Sequence, residues 1–224
     1  MILVGSNFID YHPTSTPFAL SEHAPGDVVI CGFSSGALVS ASPGTPSPLV
    51  ELCRVSTPNS CVAAAVVDTE IPSVSWEFGQ TVGNVWSVVF RADPGKELAI
   101  GDVQIGTVAT VSAMTYPALT LDGAEDSYVF TAAYRRASGS DPLGFATDPN
   151  GQTRIRLCNA TPFYLTTRSA APLIAWPAAT IETGGAEGAN QHRYGMAIEI
   201  IESAVAQPAQ PATRKLIGLA ASGF

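Results

Sequence analysis

Between Val28 and Ile201 the apolar residues fall into short runs and alternating stretches, and Gly, Pro, Ser and Thr separate one run from the next. No stretch of useful length repeats its apolar positions at the helical spacing. Short strands punctuated by turn residues bury their apolar faces only when two layers of sheet pack together. The pattern therefore predicts an all-β fold, an antiparallel β-sandwich of jelly-roll or Ig-like type.

Ten to twelve strands of ordinary length follow from this pattern. The first, at 27–33, is almost wholly apolar and is expected to be buried on both faces. Strands at 49–55 and 61–69 flank the Pro58-Asn59 turn, although Ala63, Ala64 and Ala65 also suit a short helix. The stretches 74–78 and 85–91 look like a hairpin that places Trp76 and Trp86 in the core. Further strands are expected at 110–115, 119–121, 127–135, 154–160, 163–168, 178–182 and 194–201, with 154–160 and 163–168 paired around Thr161-Pro162. A Gly-rich polar hairpin loop at 183–192 separates the last two.

Both ends read differently from the middle. Residues 1–24 carry aromatic and apolar side chains spaced by turn formers and are expected to form an extended N-terminal arm. Residues 25–202 are the β-sandwich domain. Beyond them lies a Pro/Ala/Gln linker of the semi-extended kind, then Arg214-Lys-Leu-Ile-Gly-Leu-Ala-Ala-Ser-Gly-Phe224. That tail is too short to fold alone. Its apolar residues Leu216, Ile217, Leu219 and Phe224 are candidates for docking on a neighbouring subunit, by strand addition or in a groove; folding back onto its own domain is the other reading.

Composition narrows the partners. Hydrophobic residues make up 46% of the 224 and charged residues 13%, a sparsely charged surface that suits packing against other subunits. The net charge of −8 opposes attachment to phosphate backbones or anionic lipid, so neither nucleic acid nor a membrane is expected as a partner. The N-terminus has no basic region, and its apolar stretch is too short for a signal peptide or a span; synthesis in the cytoplasm is expected. Cys31, Cys53, Cys61 and Cys158 have no CxxC spacing, which argues against zinc. Buried free thiols are the expectation, with Cys53 and Cys61 the one pair placed to bridge across a turn.

Candidate chemistry is thin. Gly32-Phe-Ser34-Ser-Gly36 fits the hydrolase G-x-S-x-G motif, with Asp102, Asp126 or Asp148 and then His192 in the right order. The motif needs a helix straight after the serine, and Ala37-Leu-Val-Ser-Ala-Ser-Pro-Gly44 does not read as one. His12, His23 and His192 are far apart, and Asp10-Tyr-His12 lacks a second cluster to complete a metal site. Asp148-Pro-Asn150-Gly151 and Asp122-Gly-Ala-Glu-Asp126 are better explained as turns than as calcium loops. No catalytic residue, cofactor or metal is expected. Trp176, Tyr164 and Tyr194 are the candidates for stacking on a host-surface glycan, the carbohydrate-binding alternative.

A resemblance then emerges from the succession Ala24-Pro-Gly-Asp-Val-Val-Ile-Cys-Gly-Phe33, Val85-Trp-Ser-Val-Val-Phe-Arg91, Leu119-Thr-Leu-Asp-Gly123, Tyr128-Val-Phe-Thr-Ala132, Trp176-Pro-Ala-Ala-Thr180 and Arg193-Tyr-Gly-Met-Ala-Ile-Glu199. Across residues 24–202 this resembles β-sandwich virion proteins of tailed bacteriophages and gene transfer agents, of the head-fibre, tail-fibre, spike or capsid-decoration type. The resemblance implies a particle component displayed on a head or tail, and together with the sparse charge it leads to the expectation of a non-enzymatic structural virion protein that binds other virion proteins and forms a homo-oligomer. It transfers no catalytic residue.

Overall fold

The computed structural model describes residues 1–12, 17–34, 49–56, 59–68, 71, 73–75, 82–107, 113–121, 126–135, 153–157, 163–169, 175–182 and 193–206. Among them there is no helix, and every strand pairing is antiparallel. The protein is all-β.

One five-stranded sheet contains β1 (Ile2–His12), β3 (Val28–Ser34), β4 (Val50–Ser56), β5 (Asn59–Val66) and β7 (Val82–Arg91), in the order β1-β7-β3-β5-β4. The other contains β8 (Lys96–Ile105), β11 (Asp126–Arg135), β12 (Thr153–Leu157), β13 (Phe163–Ser169) and β16 (Arg193–Ala204), in the order β12-β13-β11-β16-β8. The chain passes from the first sheet to the second through the turn between Arg91 and Lys96. Three two-stranded pieces complete the fold: β2 (Pro17–Ala19) with β6 (Ser73–Ser75), β9 (Ala113–Tyr116) with β15 (Ala179–Glu182), and β10 (Leu119–Thr120) with β14 (Ala175–Trp176).

Both large sheets contribute to one core. Val28, Ile30, Val62, Ala64, Trp86, Val88 and Phe90 of the first sheet share it with Leu98, Phe130, Ala132, Tyr194, Met196, Ile198 and Ile200 of the second. Side chains alternate across a strand, so the intervening residues face the other way. Val29, Cys31, Phe33, Val85 and Val89 lie under Phe18, Leu49 and Ile71. On the far side of the second sheet, Val129 and Ala197 meet Leu119, Leu121 and Trp176. This is why β3 is apolar at nearly every position: it is covered on both faces, as its sequence predicts.

A close approach at the centre needs glycine. Gly32 stands opposite Trp86, and a Cβ there would lie 2.1 Å from the indole ring. The ring occupies that space and reaches Phe130 of the opposite sheet, centroid to centroid 5.8 Å.

Several sequence expectations give way. Residues 1–24 were expected to be an arm outside the sheets, yet Ile2–His12 is a strand paired with β7 along its length. Its apolar residues have buried work: Phe8 packs on the shared core, and Val4 and Ile9 on the outer cluster. The expected hairpin of 74–78 with 85–91 does not form, because β6 pairs with β2 while β7 lies between β1 and β3. Nor do the last two strands form a hairpin, since β15 pairs with β9 and β16 with β11 and β8. In each case the partner is a strand distant in sequence and not the neighbouring one. The pairs β4 with β5 and β12 with β13 do form as expected, and Ala63 to Ala65 are strand.

Candidate functional site

The most highly built polar region lies where both sheets end together, around the turn from β7 to β8 and the turn that leads into β3. An open cleft of about 240 Å³ lies between these turns, with Asp27, Arg91, Asp93 and Lys96 in its wall. Gly26 and Gly95 adopt φ of 91° and 81°, left-handed values that glycine takes without steric cost.

Asp27 is buried and organises the first turn. It accepts from Ala24 N–H at 2.8 Å and takes a two-pronged contact from Arg91, Nε to Oδ1 at 2.8 Å and an Nη to Oδ2 at 2.7 Å. Its backbone carbonyl accepts from Val67 N–H at 2.8 Å, and Gly26 N–H donates to the Val67 carbonyl at 2.7 Å. The carboxylate contact holds the Arg91 pKa above its ordinary value. The fork-on-carboxylate geometry that makes arginine a good anion binder is thus already used within the chain.

Glu202, at the end of β16, is the centre of the second half. Its buried carboxylate accepts from Asp93 N–H at 2.6 Å, from the Met1 ammonium at 3.0 Å, from the Tyr128 hydroxyl at 3.1 Å and from Lys96 Nζ at 3.4 Å. Lys96 also meets Asp126 at 2.9 Å, and the Met1 ammonium meets Asp93 at 3.0 Å. Burial alone would raise the Glu202 pKa, but the Asp93 N–H, the ammonium and the Tyr128 hydroxyl overcome it and hold it down at about 2. Burial and the neighbouring carboxylate push the Tyr128 phenol up to about 12. Lys96 is held above its ordinary value, chiefly by its bond to Asp126.

This arrangement fastens distant segments of the chain to one another. Each cation in the cleft wall faces a carboxylate of the same chain, and the donors around Glu202 come from three separate parts of the fold: the Met1 ammonium, β11 and the turn into β8. Among the described residues, no three His, Cys, Asp or Glu side chains are grouped to hold a metal ion.

Those residues singled out from sequence that the structure describes do not share one site. Trp176 and Tyr194 are each 1% exposed, one in the cluster on the far side of the second sheet and the other in the shared core. Neither offers a ring face to a sugar, which corrects their assignment as stacking residues. Tyr164 pairs through its backbone with Ala133 and Leu157; its side chain, and Leu216, Ile217, Leu219 and Phe224, lie outside the described residues, as do Trp76, Cys158, Asp148 and His192. Ser34 continues β3, opposite Ser60 and Asn84, while residues 35–48 lie outside the description. Asp102 accepts from Thr120 N–H and Gln104, and Asp126 is bound to Lys96. His23 bridges two segments, with Nδ1 at the Ser21 carbonyl and Nε2 accepting from Ile71 N–H.

Cys31, Cys53 and Cys61 are free thiols. Cys53 faces the shared core, 4.0 Å from the Met196 sulfur, whereas Cys61 belongs to the outer cluster. Opposite faces of one sheet separate them, so the bridge considered from sequence does not form. Burial raises all three thiol pKa values, those of Cys53 and Cys61 to about 12.

The fastening residues themselves escaped the sequence reading. Glu202 had a signal, an acid ending a long apolar strand. Arg91 had none, since its partner Asp27 is 64 positions away. Fold and site together define an all-β protein of antiparallel sheets with ion pairs on two buried carboxylates, Asp27 and Glu202, at one end. Compared with protein-family models, with curated proteins and with solved structures, the chain matches none.

Proposed function

We propose that this chain is a non-enzymatic structural component of a phage-like particle, a head or tail decoration, spike or fibre protein. In this reading the two large sheets are the layers of a β-sandwich of jelly-roll or Ig-like type. The protein is made in the host cytoplasm, is carried on the virion, and assembles with copies of itself and with other virion proteins through its terminal segments.

The observation that carries the reading is the apolar, uncharged first half of β1, an outermost strand of its sheet. Ile2, 56% exposed, and Leu3 stand there, while at the other side Val50 of β4 is 67% exposed beside the Glu51–Arg54 pair. A protein that works alone in water keeps its outer strands short, charged or covered. Here β1 runs for eleven residues, and its ionisable side chains, Asp10, Tyr11 and His12, are confined to its far end. Such edges are suited to meeting other subunits, as the sparse charge of the whole chain also suggests.

Particles sedimented from lysed cells of the source organism test the reading. The protein is expected in them in fixed stoichiometry by quantitative mass spectrometry, released only by denaturant. Its absence from washed particles would end the proposal.

A further inference from the structure

The strands β4 and β8 are the outermost strands of their sheets on the same side of the molecule, and they approach each other there. Among the described residues no strand pairs with the outer edge of either. Between them the shared core comes to the surface: Leu52, Cys53 and Val55 of β4 and Ile100, Val103 and Ile105 of β8 are only half-buried against it. Val50 extends the row of β4 into solvent. The result is an apolar seam whose two banks have no strand partner among the described residues, the geometry that accepts an added strand.

The chain carries a peptide of matching chemistry. Val205 N–H donates to the Gly95 carbonyl at 3.2 Å, so the chain leaves β16 beside the first residue of β8. The linker 207–213, at about 3 Å per residue when extended, spans about 20 Å. Beyond it, Leu216 to Ala221 would be apolar or small on both faces of a strand, as a strand lying in a seam must be. Residues 203–224 hold two of the chain's eleven cations and none of its nineteen carboxylates, so the net −8 divides into +2 on this segment and −10 on the remainder. A cationic apolar peptide is drawn to an anionic body.

We infer that the seam between β4 and β8 receives the segment 214–221 of a second copy of this chain, which adds there as a strand; the inference rests on the assembly reading above. A second copy is favoured by direction. The chain's own tail starts at the Lys96 end of β8 and would have to run parallel to it, whereas a second copy enters from the opposite end and pairs antiparallel, the more stable arrangement. Two copies that exchange tails in this way form a closed two-fold pair.

Light scattering on the full-length protein tests this, with Leu219→Asp as the tail variant and both Val50→Asp and Val103→Asp as seam variants. Val50 is mostly exposed, so its variant keeps the fold, as circular dichroism verifies. The wild type is expected at twice the mass of the monomer and all variants at the monomer mass. An equimolar mixture of Leu219→Asp with Val50→Asp is expected to recover mixed dimers, because one intact tail then meets one intact seam. A monomeric wild type overturns the inference, and so does a dimer that persists in Leu219→Asp or in both folded seam variants. Presence in sedimented particles is read separately. A failed exchange with the protein still in the particle discards the seam alone; absence from the particle discards the assembly reading and leaves the exchange to stand on the masses.

Discussion

At the scale of single residues, the tightest constraint is Gly32 beneath the Trp86 ring. The indole is held between β3 and Phe130 of the opposite sheet, so it has no room to yield to a methyl group. Gly32→Ala is expected to cost about 2–3 kcal/mol, the usual penalty for overpacking a well-filled core, and denaturant unfolding followed by tryptophan fluorescence reads it directly. The thiols give a second expectation. With their pKa values raised by burial, Cys31, Cys53 and Cys61 hold little thiolate at mildly alkaline pH. They are expected to stay unlabelled by iodoacetamide in the native protein and to label fully in guanidinium, as peptide mapping would show; rapid native labelling of Cys53 or Cys61 would contradict their placement.

At the scale of elements, the buried Asp27 joins the turn before β3 to the end of β7. Asp27→Ala removes the acceptor of the Ala24 N–H and of two Arg91 N–H groups, and a loss of about 2 kcal/mol in urea unfolding is expected from the donors left behind. Elements differed in how plainly the sequence announced them. Strands β3, β7 and β16 were legible because unbroken apolar runs leave them no other place than a sheet interior. Strand β8 was missed: Lys96-Glu97 opens it, and Gly101-Asp102 interrupts its alternation where its register with β16 shifts. That interruption has a cause in the fold, since the Glu199 carboxylate accepts the Asp102 N–H. Pairing partners were hidden for a related reason. Periodicity marks the face a strand buries and is silent on which neighbour completes it, so β6 and β15 were assigned to the nearest strand in sequence. The same silence misled the site reading, because Trp176 looks free beside Pro177 until β10 pairs alongside it and folds its ring onto the second sheet.

At the scale of the whole molecule, the shared core makes the two sheets one cooperative unit. Native-state hydrogen exchange is expected to be slowest in β3, β7, β11 and β16, which have paired strands on both sides, and fastest in β12 at an outer edge. Glu202 ties Met1, the residue just before β1, to strands β8, β11 and β16 of the other sheet. Glu202→Gln leaves buried donors facing a neutral group and is expected to cost about 3 kcal/mol. Because the carboxyl pKa is lower in the folded protein than in the unfolded chain, its stabilisation is complete above about 4.5 and is lost as pH falls toward about 2. The glutamine variant is expected to lack that portion of the acid sensitivity, measured as unfolding free energy against pH.

The ion-paired end also gives the molecule a direction. Met1, the turns at Gly26 and Gly95, and the departure of the chain after Ala206 all lie at that pole, while Ser34, Ser56, Arg135 and Leu157 end their strands, and Val82, Asn59, Phe163 and Arg193 begin theirs, at the opposite one. The length of the strands therefore separates the fastened end from the far pole, as a shaft separates a grip from its head. Sequence changes in the connections at the far pole are expected to leave the grip undisturbed.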